Sequence, residues 1–128
     1  MNVSIDTNAY RAFTDGDPVI SNIVRKAEII GFSSIVLGEL RAGFLRGTRA
    51  EHNENLLKMA LMRHRVQVHD VTESTSNIYA RVWNELRTAG RPIPTNDLWI
   101  AAQCLERGFC LVTLDRHFEA IQELKLLP

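Results

Sequence analysis

Short apolar runs alternate along the chain with longer stretches in which apolar residues recur every three or four positions. Runs such as Val3-Ser4-Ile5 have the length of β-strands, and the longer spacing places apolar side chains on one face of a helix. The pattern predicts strands at residues 3–5, 32–36, 66–68, 109–113 and, weakly, 124–127. It predicts helices at residues 17–30, 37–46, 51–63, 72–89 and 95–107, with Thr72 and Thr95 as N-caps, and a short helix after Asp115. This alternation favours an α/β domain built around a parallel sheet.

Length and composition agree with one globular domain. The chain has 128 residues, which fits a single domain over 1–128, and 45% of them are apolar. The 15 basic and 15 acidic residues give a formal net charge of zero. This argues against a protein that coats nucleic acid through bulk positive charge alone. The N-terminus has no basic segment and no run of 18 apolar residues occurs, so the sequence predicts a cytoplasmic protein without a signal peptide or membrane span. Cys104 and Cys110 lie in no metal-binding pattern and are expected to be reduced core thiols.

Four acids occupy positions where an open parallel sheet places its functional site. Asp6 directly follows the first predicted strand, and Asp115 lies two residues past the fourth. Glu39 and Asp97 fall in the first turns of the predicted helices at 37–46 and 95–107. Strand carboxyl ends and the helix N-termini that follow them share one edge of a parallel sheet, where ligands bind. We therefore expect the four acids to converge, although each alone is also typical of a helix cap or a dipole contact.

Converging carboxylates repel one another and call for a compensating partner. At ~4 Å and an effective dielectric constant of ~20, a pair of like charges costs about 4 kcal/mol. A helix N-terminus offsets only about 0.3–1 kcal/mol of this for Glu39 or Asp97. The four acids offer oxygen donors without His or Cys, so the set favours Mg²⁺ or Mn²⁺ over zinc.

At these residues the chain resembles the PIN-domain family and, within it, the toxin nucleases of VapBC-type toxin–antitoxin modules. The similar segments, in chain order, are Val3-Ser4-Ile5-Asp6-Thr7-Asn8, Ile35-Val36-Leu37-Gly38-Glu39-Leu40 with Gly43, Pro94-Thr95-Asn96-Asp97-Leu98-Trp99-Ile100-Ala101-Ala102, and Leu111-Val112-Thr113-Leu114-Asp115 with Phe118. Each segment alone is a weak pattern, but together they extend from the first predicted strand to near the end of the chain. The resemblance implies a three-layer α/β/α sandwich with a central, mostly parallel sheet.

The resemblance also implies a Mg²⁺-dependent endoribonuclease, with Mn²⁺ as a substitute, that hydrolyses RNA phosphodiesters through a metal-activated water. In position, Asp6, Asp97 and Asp115 are similar to direct or water-mediated metal ligands. Glu39 is similar to an acid that orients the water. The neighbouring polar residues are similar to groups that aim the carboxylates: Thr7, Asn8, Asn96 and Thr113. The alternative is an RNA-binding PIN-like module that does not cleave.

Basic residues concentrate between positions 41 and 65. This stretch has a net charge of +4 in a chain that is otherwise negative. It could follow an RNA backbone beside Glu39, with Arg41, Arg46 and Arg49 as phosphate contacts. A solvated helix face explains the same charges equally well.

Other residues and fold classes carry weaker signals. The four histidines, His52, His64, His69 and His117, have no partner at metal-ligand spacing, so we expect surface roles for them. A haloacid-dehalogenase-type phosphatase needs a second Asp where Asn8 stands. A response-regulator receiver needs an acidic pair after its first strand, where this chain has only Asp6. The sequence therefore disfavours both classes.

A ribonuclease with an open acidic site would injure its own cell, so an inhibitor is expected. The resemblance implies an antitoxin whose disordered tail folds along the toxin and plugs the acidic pocket with an Arg. We expect helices at 37–46 and 51–63 to frame an apolar groove for that tail. A homodimer or a larger toxin–antitoxin assembly is expected as well.

Overall fold

The computed structural model describes residues 1–128 and contains one sheet of five parallel strands. The strands are β1 (Asn2–Ile5), β2 (Ile29–Ser33), β3 (Val66–His69), β4 (Cys110–Val112) and β5 (Leu126–Leu127). Their order across the sheet is β3-β2-β1-β4-β5, so β1 lies at the centre. Val3 pairs with Ile30 on one side of β1 and with Cys110 on the other. The predicted α/β architecture around a parallel sheet is confirmed.

Helices cover both faces of this sheet. They are α1 (Thr7–Thr14), α2 (Pro18–Lys26), α3 (Ser34–Arg46), α4 (Ala50–Leu61), α5 (Glu73–Thr88) and α6 (Thr95–Arg107), and a 3₁₀ helix spans Arg116–Ala120. Crossovers between parallel strands are right-handed, so the steps from β1 to β2 to β3 place α1–α4 on one face. The return to β4 reverses direction and places α5 and α6 on the other face, where they pack against each other. The three layers are those of the expected α/β/α sandwich.

The central strand is buried from both sides, as a doubly covered parallel sheet requires. Val3, Ser4 and Ile5 expose no more than 4% of their surface. Buried apolar residues from both helical layers join them in one continuous cluster of 24 residues. None of the helices combines the length and the apolar character needed to cross a membrane.

The second strand begins three residues earlier than the apolar pattern predicts. Ile35 and Val36 are β-branched and typical of a strand, but they lie in the first turn of α3. Ser33 causes this, because its Oγ accepts a hydrogen bond from the backbone N–H of Ile35 at 3.1 Å and caps the helix. Glu39 consequently lies in the second turn of α3, so the predicted contact of Glu39 with a helix N-terminus is wrong.

A helix that the pattern does not predict follows β1 immediately. The Asp6 side chain caps α1 by accepting a hydrogen bond from the backbone N–H of Ala9 at 2.9 Å. The apolar residues of α1 that pack on the core, Ala9, Tyr10, Ala12 and Phe13, do recur with a helical period, but this helix has only eight residues and directly follows a strand.

Of the two predicted N-caps, one is correct and the other is displaced by one residue. Thr72 is the N-cap of α5 as predicted, and it forms a capping box with Thr75. Thr95 is instead the first residue of α6, and the N-cap position belongs to Pro94, which offers no side-chain hydrogen bond. That one-residue shift leaves Asp97 in the first turn, as predicted.

Candidate active site

The candidate site lies at the carboxyl edge of the sheet, between β1 and β4. At this point the order in which successive strands are added across the sheet reverses. From β1 the chain continues towards β2, whereas from β4 it continues towards β5 on the opposite side. Parallel sheets leave a crevice at such a switch point. Here it is a cleft of about 430 Å³. Its lining residues are Asp6, Thr7, Asn8, Arg11, Glu39, Pro94, Asp97, Asp115 and His117.

Asp6 is the deepest of the acids and has only 6% of its surface exposed. Its Oδ1 accepts the N–H of Ala9, and its Oδ2 accepts the hydroxyl of Thr113, the first residue after β4. Burial raises the pKa of Asp6, and repulsion from Asp97 and Asp115 raises it further, against the two hydrogen bonds that lower it. The folded chain therefore holds a negative charge here at an energetic cost.

Asp97 enters the cleft from the first turn of α6, on the other face of the sheet from α1. Its Oδ2 lies 2.5 Å from Nε2 of His117. Burial raises the pKa of Asp97, the His117 contact opposes this, and the negative charges of Glu39 and Asp115 add to the rise. Two acids of the cluster thus share the same unfavourable electrostatics.

Glu39 reaches the cleft from α3 and is held by two polar neighbours. Thr7 donates a hydroxyl hydrogen bond to Oε1 at 2.5 Å, and Asn96 donates its amide N–H to Oε2 at 3.2 Å. These contacts tie α3 to both α1 and α6. They also place Thr7 and Asn96 beside a carboxylate, as the family resemblance implied.

Asp115 follows β4 and completes the group of four acids. Thr113, which donates to Asp6, also accepts the backbone N–H of Asp115 at 3.0 Å. The single hydroxyl of Thr113 therefore fixes two of the acids relative to each other. Asp97 and Asp115 both raise the pKa of Asp6 through their charges, and Glu39 does the same for Asp97. The predicted convergence of Asp6, Glu39, Asp97 and Asp115 is present.

His117 also lines the cleft, where the sequence predicted a surface role. Its Nε2 faces Asp97 and its Nδ1 lies 2.9 Å from Oδ1 of Asp115. The only sequence signal was its place two residues after Asp115, in a short 3₁₀ helix without periodicity. The other histidines stay outside: His52 and His64 are exposed, and His69 is buried at the end of β3.

Asn8 lines the cleft but forms no hydrogen bond with the acids. Its Oδ1 lies 3.5 Å from Nη1 of Arg11, one turn further along α1. The Arg11 guanidinium lies over Gly43 of α3, where a Cβ would come within 2.6 Å of Nη2. Arg11 forms no ion pair with an acid, so its cationic head lies free at the rim of an acidic cleft.

The three arginines proposed for RNA binding differ from one another. Arg41 forms a fork with Glu54, with Nε to Oε1 at 3.0 Å and Nη2 to Oε2 at 3.1 Å. This contact lowers the pKa of Glu54, and both groups are charged at neutral pH. Arg46 at the end of α3 and Arg49 before α4 are exposed and form no ion pair. Arg46 and Arg49 are therefore more available to a phosphate than Arg41.

The donor chemistry of the cleft fits a divalent cation. Carboxylate oxygens are the ligands that Mg²⁺ and Mn²⁺ prefer, and donor atoms of Asp97, Asp115 and His117 lie within 4.8 Å of one another. The raised pKa values of Asp6 and Asp97 mark a negative charge that a cation would compensate. Cys104 does not belong to this chemistry, since burial in the core raises the pKa of its thiol to about 12.

Similar proteins of known family share this fold. The profile of the PIN-domain family matches residues 3–124. Ribonuclease VapC4 of Mycobacterium tuberculosis is 30% identical over 97 residues, which cover 76% of this chain and 75% of that protein. Ribonuclease VapC2 of Rickettsia felis is 30% identical over 128 residues, covering 97% of this chain and 90% of that protein.

A solved structure extends the similarity to three dimensions. The crystal structure of VapBC2 from Rickettsia felis, bound to a DNA fragment from its promoter, aligns with a TM-score of 0.85 at 28% identity. The alignment covers 98% of this chain and 97% of that one. The chain therefore belongs to the PIN-domain family and, within it, to the VapC group.

Proposed function

We propose that this chain is a Mg²⁺-dependent endoribonuclease, the toxin component of a cytoplasmic type II toxin–antitoxin pair. The single observation that carries the proposal is the convergence of four acids in one cleft at the switch point of the sheet. Relatives named as VapC ribonucleases support RNA as the substrate. Mn²⁺ is expected to replace Mg²⁺, because both are bound by carboxylate oxygens.

The cleft residues divide the work of hydrolysis. A bound cation would supply a water of lowered pKa and neutralise charge that develops on the phosphate. We assign Asp6, Asp97 and Asp115 to holding that cation, directly or through water. Thr113 keeps Asp6 and Asp115 in register, through the two hydrogen bonds of its hydroxyl. Glu39, steadied by Thr7 and Asn96, orients the attacking water for in-line displacement, which leaves a 5′-phosphate and a 3′-hydroxyl.

Arg11 is the residue that we assign to the substrate phosphate at the cleft itself. Its guanidinium is the cation at the rim with no acid partner, and a planar fork matches phosphate oxygens. Gly43 supports this role, because any side chain there would displace the guanidinium. Arg46 and Arg49 would extend the contact along the RNA backbone.

The test of the proposed activity is cleavage of RNA by the purified chain with and without Mg²⁺. We expect cleavage with Mg²⁺, none in excess chelator, and none with Asp97→Asn. The exposed acid Asp15 provides the matched control, Asp15→Asn, which should cut like the wild type. RNA that is bound but left intact under all conditions would favour the alternative, a PIN-like module that binds RNA without cleavage.

An antitoxin is the protein partner that we propose, and an apolar cleft offers it a seat. This cleft of about 320 Å³ is separate from the acidic one. Its walls come from α1, α2, α4 and the sheet, and include Phe13, Val24, Phe32, Leu56 and Met59. Of the two helices expected to frame the groove, α4 contributes to these walls, whereas no residue of α3 lines the cleft.

Two exposed methionines of one surface allow a matched test of this seat. Met59 lines the apolar cleft and is 65% exposed, whereas Met62 is 84% exposed and does not line it. We expect Met59→Asp to weaken the complex with the antitoxin, for which the test protein is the product of the reading frame adjacent to the gene of this chain, and Met62→Asp to leave that complex intact. If both variants bind the antitoxin equally well, the antitoxin binds at a surface other than the apolar cleft. Light scattering on the same samples would distinguish the expected homodimer from a larger toxin–antitoxin assembly.

A further inference from the structure

His117 occupies a position between two of the acids that is unlike a surface histidine. Nε2 lies 2.5 Å from Oδ2 of Asp97, and Nδ1 lies 2.9 Å from Oδ1 of Asp115. The backbone N–H of His117 also donates to Oδ1 of Asp115 at 3.2 Å, which fixes the start of the 3₁₀ helix. The imidazole is therefore held inside the acidic cleft by both its ring and its backbone.

These spacings agree with neighbouring ligands on one cation. Nitrogen and oxygen ligands bind first-row ions at about 2.0–2.2 Å, so adjacent ligands are about 3 Å apart. The candidate donor atoms of Asp97, Asp115 and His117 all lie within 4.8 Å of one another. Each of the three residues can therefore offer one donor atom to a single ion.

We propose that His117 supplies a nitrogen ligand to the cation held by Asp97 and Asp115, and that this nitrogen makes the site favour Mn²⁺ over Mg²⁺. The proposal rests on the metal site of the proposed function and adds a ligand to it. Mn²⁺ is a transition-metal ion that takes imidazole nitrogen as well as the carboxylate oxygen that suits it, whereas Mg²⁺ takes oxygen almost exclusively. A nitrogen donor therefore raises the affinity for Mn²⁺ relative to Mg²⁺ above the ratio that four carboxylates alone would set.

The competing role for His117 is a positive counter-ion that neutralises the acids without touching the cation. The two roles predict opposite effects of replacing it. A ligand, when removed, weakens Mn²⁺ binding by about tenfold or more and affects Mg²⁺ much less. A counter-ion, when removed, leaves the acids more negative and strengthens the binding of both ions.

The experiment measures metal binding directly, on the full chain without RNA. Titration calorimetry would give the affinities for Mn²⁺ and Mg²⁺ in the wild type, in His117→Asn and His117→Gln, and in the control His64→Asn. We expect the ratio of Mn²⁺ to Mg²⁺ affinity to fall in both His117 variants and to stay unchanged in the control. Affinities for both ions that rise in the His117 variants would overturn the ligand role.

Pulsed electron paramagnetic resonance of bound Mn²⁺ provides a second readout that needs no variant. A directly bound imidazole couples its nitrogen to the electron spin, and labelling histidine with ¹⁵N should change that coupling. His52, His64 and His69 do not line the cleft, so the signal reports His117. If Mn²⁺ binds without nitrogen coupling, His117 is not a ligand and the inference is refuted, but the metal site formed by the acids still stands. A chain that binds neither ion would refute the proposed function itself.

Discussion

The hydroxyl of Thr113 donates a hydrogen bond to the buried carboxylate of Asp6 and thereby joins the ends of two neighbouring strands. Asp6 follows β1 and Thr113 follows β4, and these two residues are 107 positions apart in sequence. The same hydroxyl accepts the backbone N–H of Asp115 at 3.0 Å. One small side chain therefore sets the distance between two of the acids, and the parallel pairing of β1 with β4 makes this contact possible.

Replacing Thr113 with Val should uncouple Asp6 from Asp115 with little change in side-chain volume. It leaves a buried carboxylate oxygen and a backbone N–H without their partner, which typically costs about 1–3 kcal/mol. We expect a lower free energy of unfolding and weaker Mg²⁺ binding, measured by urea denaturation and calorimetry. Thr88→Val, at an exposed position at the end of α5, is the control and should change neither quantity. Mg²⁺ binding that survives Thr113→Val would show that Asp6 needs no such alignment.

Asp97→Asn should abolish RNA cleavage while the fold stays intact. The variant keeps the size of the side chain but removes one of the charges that hold the cation, so the rate should fall below about one hundredth of the wild-type rate. Because burial raises the pKa of Asp97, removing its charge relieves a penalty, partly offset by the lost contact with His117. The melting temperature in chelator should therefore hold or rise. Cleavage at the wild-type rate would remove Asp97 from the active site.

The acids of the site could be predicted from sequence because each has a local signature. Asp6 directly follows a strand-length apolar run, Asp115 lies two residues past another, and Asp97 lies in the first turn of a predicted helix. The parallel topology then brings these positions to one edge. The helix of Glu39 begins three residues earlier than predicted, so Glu39 lies in its second turn and not in its first. Glu39 still lines the cleft.

The contacts made between elements could not be predicted in this way. His117 meets Asp97 because α6 packs back along β4, which places the start of α6 and the 3₁₀ helix after β4 at the same edge. Arg41 meets Glu54 because α3 and α4 pack together, which removes Arg41 from the free cations of its segment. A single sequence records charges and spacing, but these pairings depend on how the helices pack.

The stability of the metal-free chain should depend on pH through Asp6. Its pKa is raised in the folded state, so folded chains bind this proton more tightly than unfolded chains. The resulting penalty is present above the folded pKa and is relieved as the pH falls towards the ordinary value of 3.8. We therefore expect Asp6→Asn to melt at a higher temperature than the wild type at neutral pH in chelator. The difference between the two melting temperatures should shrink as the medium is acidified. A difference that stays constant with pH would contradict the raised pKa.

Removing the divalent cation should stop cleavage, and the cysteine in the core should have no part in it. Chelator should abolish activity, and Mg²⁺ or Mn²⁺ should restore it. Burial raises the pKa of Cys104 to about 12, so it offers no thiolate to a metal at neutral pH. Cys104→Ala should therefore keep the same dependence on Mg²⁺ concentration, even if its buried position makes the variant less stable. Activity that persists in excess chelator would indicate a metal-free ribonuclease.

Arg46 and Arg49 should contact RNA phosphates, whereas Arg41 should contribute less because Glu54 already holds it. Binding of single-stranded RNA can be measured by fluorescence anisotropy in chelator, in an Asp97→Asn background that does not cut. Each phosphate contact that is lost should reduce the slope of log affinity against log salt by about 0.7. We expect that reduction for Arg46→Ala and for Arg49→Ala, and a smaller one for Arg41→Ala. Arg25→Ala is the control, since Arg25 is exposed on α2 and bonds only to Asn22 of the same helix. If Arg11→Ala alone lowers the slope, the RNA crosses α1 at the cleft, and the basic stretch from 41 to 65 is a solvated face.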